Sequence, residues 1–96
     1  MQYFHRTHVQ PDAVMDLVVS HFGSRLAPEI EDARRRRYSG ALGRVTISAV
    51  PEGGHYTLVT VLTDQPAESE LDKLAKRFLG EVHVLAHPDH ALRGAY

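Results

Sequence analysis

The sequence predicts an α+β domain of two layers in the order β-α-β-β-β-α, an antiparallel four-stranded sheet covered by two helices. Three observations carry this. Two runs rich in β-branched and aromatic residues, Arg44 to Val50 and His55 to Thr63, flank the turn sequence Pro51-Glu52-Gly53-Gly54. Near the C-terminus, Ala67, Leu71, Leu74, Ala75, Phe78, Val82, Leu85 and Ala86 recur at helical spacing. Near the N-terminus, Pro11 opens a shorter stripe of Ala13, Val14, Leu17, Val18, His21 and Phe22. A sheet with one apolar face and two amphipathic helices is satisfied by a single sheet-on-helix contact.

Taken in order, Gln2 to Val9 reads as a first strand. Tyr3, His5, Thr7 and Val9 point one way, and Phe4, Arg6 and His8 the other. The first helix follows from Pro11 and stops near Gly23. Residues 24–28 read as loop. The segment 29–39 reads as a second, charged strand, because Ile30, Ala33 and Tyr38 make no helical stripe and residues 38–43 lead directly into the hairpin. Folded about Glu52-Gly53, the hairpin sets residue n against residue 105 − n. Ala49, Ile47, Val45 and Gly43 then face Tyr56, Leu58, Thr60 and Leu62 on the buried side. That register leaves Val50, Val59 and Val61 on the outer face. In the last helix Asp64 is the expected N-cap, with Pro66 in the first turn and Glu68 and Glu70 at the positive end of the dipole. Lys73, Lys76, Arg77 and Glu81 fall on the wet side, Asp72 and Lys76 form an i,i+4 pair, and Pro88 ends the helix near His87. The helix is expected to lie across the apolar face of the hairpin.

Ninety-six residues make one domain with one modest core. A net charge of −1 disfavours nucleic acid, whose general binding needs many unbalanced cations. The absence of cysteine removes disulfides, thiolate metal sites and a cysteine nucleophile, and suits a reducing cytoplasm. Residues 1–6 lack the apolar core of a signal peptide, and no apolar run approaches the about 18 residues of a membrane span. Gly53-Gly54 has neither a following helix nor a Lys-Ser/Thr pair, so it reads as turn geometry and not as a phosphate loop. No motif calls for a cofactor or selects an enzyme.

Two features are candidates to carry chemistry. Arg34 to Arg37 is a run of four arginines. With Tyr38 turned inward beside Ile30, Arg34 and Arg36 share the inner face; with Tyr38 outward, Arg35 and Arg37 do. A guanidinium matches carboxylate and phosphate, so Arg34, Arg36, Tyr38 and the inward-facing His21 are the candidate ligand-binding residues. The plainer reading is an edge strand whose charges deter aggregation. His21 is also readable as a hydrogen-bonded core histidine. The second feature is His83 and His87, four apart on one helix face, with His90 or His5 as a third candidate metal ligand. Their plainer reading is favourable charge at a helix C-terminus.

The stretches Ser39 to Ile47, Gly53 to Val61 and Glu70 to Leu79 resemble small uncharacterised bacterial α+β proteins. The element order also resembles the START/polyketide-cyclase (helix-grip) superfamily. That resemblance implies ligand binding under the last helix and transfers no functional residue. Helix-grip domains have more strands and a longer chain, so one chain here implies a shallow pocket, unless two chains complete it. The expectation is a non-enzymatic domain binding a small molecule, anionic or apolar, or a protein partner. The half-apolar outer face points to a homodimer. The alternatives are a metal-assisted enzyme on the C-terminal histidines and an anion pocket on the arginine strand.

Overall fold

The computed structural model describes residues 1–87. The elements are β1 (Gln2–Thr7), α1 (Pro11–Phe22), β2 (Ala27–Glu31), β3 (Arg35–Gly40), β4 (Gly43–Glu52), β5 (Tyr56–Thr63) and α2 (Glu70–Ala86). The sheet is antiparallel throughout, in the order β1-β5-β4-β3-β2. Both helices lie on one face, α1 against β3 and β4, α2 against β1 and β5. No helix among the described residues is long and apolar enough to cross a membrane.

The two-layer α+β class holds, but the sheet has five strands instead of four. The single charged strand expected over 29–39 is a hairpin: β2 and β3 pair antiparallel about Asp32 to Arg34. A register shift between Pro28 and Ile30 sets Ile30 opposite Arg37, away from the inner face it was expected to share with Tyr38. Strand β2 is almost wholly exposed and carries Pro28, Glu29 and Glu31, which suits an edge.

The central hairpin differs in register. Glu52 pairs with Tyr56, Ala49 with Val59, Ile47 with Val61 and Val45 with Thr63. Paired positions therefore add to 108, three more than expected. Gly53 and Gly54 both adopt left-handed backbone, at φ 64° and 79°, and with His55 they make a three-residue loop. An odd offset turns a strand over. Val59 and Val61 are therefore fully buried, while Leu58, Leu62 and Tyr56 face outward with Val50.

The core joins Val14, Val18 and Phe22 of α1, Leu71, Leu74, Phe78 and Val82 of α2, and Tyr38, Val45, Ile47, Ala49, Val59 and Val61 of the sheet. Phe22 is its hub. Its ring lies 5.3 Å from Phe78 and stacks at 6.2 Å on Tyr38. Aromatic pairs of this kind add about 0.5–1.5 kcal/mol each beyond the area they bury.

The start of α2 also differs. Asp64 does not cap it; its Oδ1 accepts the Arg44 amide at 2.8 Å, which holds its carboxyl below the usual range. The cap is Ser69, whose Oγ accepts from the Asp72 amide at 3.1 Å. Asp72 forms the expected i,i+4 pair with Lys76, and it is also fully buried. It accepts hydrogen bonds from the Tyr3 hydroxyl, from the Glu68 amide at 2.9 Å, and from Lys76 Nζ at 3.3 Å. Glu68 stands in left-handed backbone at φ 68°, an uncommon conformation for a non-glycine residue, with its amide directed onto Asp72. The network ties the first turn of α2 to β1.

Candidate ligand-binding site

The two helices do not close on each other completely. Between the C-terminal half of α1, the loop after it and the outer side of α2 runs a groove of about 620 Å³. Its lining is part apolar, Leu17, Val84 and Leu85, and part polar, Ser20, His21, Arg25, Arg77 and Glu81. Helical spacing explains the set. Leu17, Ser20 and His21 are three and four apart on α1, and Arg77, Glu81, Val84 and Leu85 step likewise along α2. Leu85 belongs to the expected core stripe yet is half exposed here, where it lines the groove.

His21 is the pivot. It is 6% exposed, and both ring nitrogens meet oxygen: Nδ1 lies 3.0 Å from Glu81 Oε2 and Nε2 lies 2.9 Å from the Leu74 carbonyl. A peptide carbonyl only accepts, so Nε2 donates. Nδ1 is paired with the Glu81 carboxyl, so both ring nitrogens are satisfied. The ring meets Phe22 in a T-shaped contact at 4.9 Å and Phe78 at a tilt at 5.7 Å. His21 is thus a hydrogen-bonded core histidine and a groove wall at once, and it cross-links the helices. Arg25 Nη1 donates to the His21 carbonyl at 3.1 Å, which sets the Arg25 head at the groove mouth.

The other candidate ligand residues lie elsewhere. Tyr38 is inward and 2% exposed, inside the core. Arg36 is also on the inner face, opposite Ile47 and Glu31, with Nη1 3.4 Å from Glu31; its Nε is a buried nitrogen with no hydrogen-bond partner. Arg34 sits in the β2–β3 turn, 3.6 Å from Asp12 of α1. Arg35 and Arg37 face outward, with Arg37 Nε donating to Thr46 at 3.2 Å. Arg34, Arg36 and Tyr38 do not line the groove that contains His21.

The histidines of α2 form a second cluster. His83 and His87 have ring centroids 5.0 Å apart, and His5 of β1 is near enough that burial first, and His83 second, hold its ring below the usual histidine range. His90 lies outside the described residues. Among the described residues, no three histidine or carboxylate side chains group closely enough to hold a metal ion.

Arg25, Arg77 and Glu81 were not expected as site residues, because each looks like an ordinary wet-face charge in sequence. The legible signal was the pair Arg77 and Glu81 at i,i+4 beside the overrunning Val84-Leu85. No protein-family model matches the chain, and no curated protein matches its sequence.

Proposed function

We propose that the chain is a cytoplasmic, non-enzymatic binding domain that takes a small amphipathic anion into the groove between α1 and α2. The observation that carries this is the make-up of the groove. Its volume of about 620 Å³ falls within the range of about 300–1,000 Å³ of small-molecule sites. Its lining combines the aliphatic Leu17, Val84 and Leu85 with the guanidinium groups of Arg25 and Arg77, while the Glu81 carboxyl is engaged by His21. An aliphatic chain fits the first and a carboxylate the second. A likeness to helix-grip proteins implies a ligand beside the last helix, and half of the groove is built from that helix. The metal alternative rests on His83, His87 and a third ligand, His90 or His5; no group of three donors forms among the described residues, and His90 lies outside them. In the anion-pocket alternative, Arg34 faces Asp12 and Arg36 faces Glu31, with Arg36 Nε left without a partner among the described residues.

The test is thermal denaturation with straight-chain carboxylates of graded length and the matching alcohols. At tenfold excess over Kd a ligand stabilises by about 1.4 kcal/mol, which raises Tm by roughly 6–11 °C in a domain of this size. The expected result is a shift by medium-chain carboxylates, a smaller one by the alcohols, and loss of the difference in Arg25→Ala/Arg77→Ala. Both arginines are exposed, so the double variant keeps the fold. No shift with any chain length would overturn the reading.

A further inference from the structure

The helices cover one face of the sheet, and the described residues leave the other bare. The register sets the side chains of this outer face in rows that cross the strands. Phe4 of β1 is level with Thr60 of β5, Ser48 of β4 and Arg35 of β3. The next row runs from Leu62 through Thr46 to Arg37. Each row has an apolar end, small hydroxyls in the middle and a guanidinium at the other end. Phe4 is 63% exposed. Tyr56, at the start of β5 on the same face, is 45% exposed and has its ring 4.6 Å from that of His8. The other charges of the face are balanced. Arg6 pairs with Glu52 at 2.7 Å, Arg44 pairs with Glu29 at 3.0 Å, and Asp64 accepts the Arg44 amide. Arg35 and Arg37 meet no carboxylate among the described residues; Arg37 Nε donates to the neutral Thr46. A chain charge of −1 hides this local surplus, because Asp12, Asp16, Glu70 and Glu81 stand on the helices.

We infer that this face binds single-stranded nucleic acid. Charge complementarity selects the occupant. Two guanidinium groups without carboxylate partners call for an anion, and phosphate suits their planar fork. The exposed rings of Phe4 and Tyr56 offer surfaces on which bases stack, and stacking accepts any base because every base has a π-face. Strand geometry puts the Phe4 backbone about 14 Å from that of Arg35, and Arg35 about 7 Å from Arg37. A short oligonucleotide spans this distance with bases toward the rings and phosphates toward the arginines. Thr60, Ser48 and Thr46 lie between, where their hydroxyls both donate and accept toward sugar and base edges. A second copy of the chain fits the face less well. It would cover Arg35 and Arg37 with a surface whose carboxylates, Glu29, Glu52 and Asp64, are already engaged, and a buried charge without a partner is costly. A duplex fits less well too, since its bases stack on one another and not on Phe4. The ligand groove lies on the opposite side of the molecule, so this inference and the binding proposal stand or fall separately.

Fluorescence anisotropy of labelled oligouridylate and oligothymidylate, each of about 12 nucleotides, tests it at low salt. Unlabelled duplex serves as competitor and far-UV circular dichroism as the folding control. The expected result is a micromolar Kd that rises with salt, with little competition from the duplex. Phe4→Ala should weaken binding by about tenfold. Arg35→Gln and Arg37→Gln should each lower the slope of log K against log salt by about 0.7. Phe4 and Arg35 are exposed, so their variants should keep the wild-type spectrum. Lys73→Gln removes a cation from the helix side and should leave the slope unchanged. Tighter binding of the uridylate would support the inference and assign the hydroxyl rows to the ribose 2′-OH; tighter binding of the thymidylate would support it for DNA. No anisotropy change up to about a hundred micromolar protein overturns it. So does a duplex that competes as well as the single strand, or a Phe4→Ala variant that binds like wild type. A wild-type dimer in sedimentation velocity that dissociates on Phe4→Ala, or capture of the protein by anionic vesicles through Phe4, would give the face to another occupant and overturn it as well.

Discussion

Replacing Asp72 by alanine should unfasten α2 from β1. The carboxylate is fully buried and receives the Tyr3 hydroxyl, the Glu68 amide and the Lys76 ammonium. Alanine leaves the hydroxyl and the amide without an acceptor, at about 1–3 kcal/mol for each buried group so stranded. Lys76 adds less, since its side chain is 31% exposed and retains Glu68 at 3.3 Å. A total near 3 kcal/mol follows, after allowing for water reaching the Glu68 amide, or a fall in Tm of roughly 12–24 °C. Urea denaturation gives the value, and Tyr3→Phe together with the double variant isolates the hydroxyl–carboxylate coupling. Acid adds an independent signature. Burial alone pushes the Asp72 carboxyl up, but the Tyr3 hydroxyl, the Glu68 amide and Lys76 together hold it below its ordinary value of 3.8. A folded value below the unfolded one means that the stabilisation is complete above about pH 4 and disappears as pH falls through the lower folded value. Asp72→Asn should flatten that acid limb. An alanine variant within 0.5 kcal/mol of wild type, with an unchanged acid limb, would refute the network.

Two further outcomes follow from the packing. Leu74→Asp places a charge at a position 4% exposed, and should cost several kcal/mol in urea denaturation; a midpoint like wild type would mean that α2 does not pack there. Gly43→Ala forces a side chain into backbone at φ 125°, with its Cβ 2.7 Å from Asp64 Oδ1 and Gln65 Cγ, and should lower stability by about 1–3 kcal/mol, whereas Gly54→Ala, with open space around its Cβ, should lower it less.

The helices were legible because their stripes are long, although the start of α2 was placed at Asp64 instead of Ser69. Pro11 opens α1, and the steps from Leu71 to Val82 admit one helix face. The register of the hairpin was not. Strand β5 carries apolar side chains on both faces, Val59 and Val61 on one and Leu58 and Leu62 on the other, so alternation does not choose between them. The choice was made by the loop: two consecutive left-handed glycines and His55 lengthen the turn by one residue. Strand β2 escaped because an exposed edge strand has no apolar alternation to read. The Asp72–Lys76 pair was legible from its i,i+4 spacing, but the burial of Asp72 was not, because it depends on Tyr3, sixty-nine residues away. The groove was half visible. His21 stands out as a polar residue on an apolar stripe, but its partner Glu81 lies sixty residues on, and only the packing of α1 against α2 brings the two together.

Carbon-detected methyl spectra of the leucine- and valine-labelled protein, titrated with octanoate, test the central proposal most directly. Binding in the groove should move the Leu17, Val84 and Leu85 methyls together, with a single Kd, while Leu58, Leu62 and Val50 on the opposite face stay in place. Shifts confined to the sheet face, or none at all up to millimolar octanoate, would contradict it.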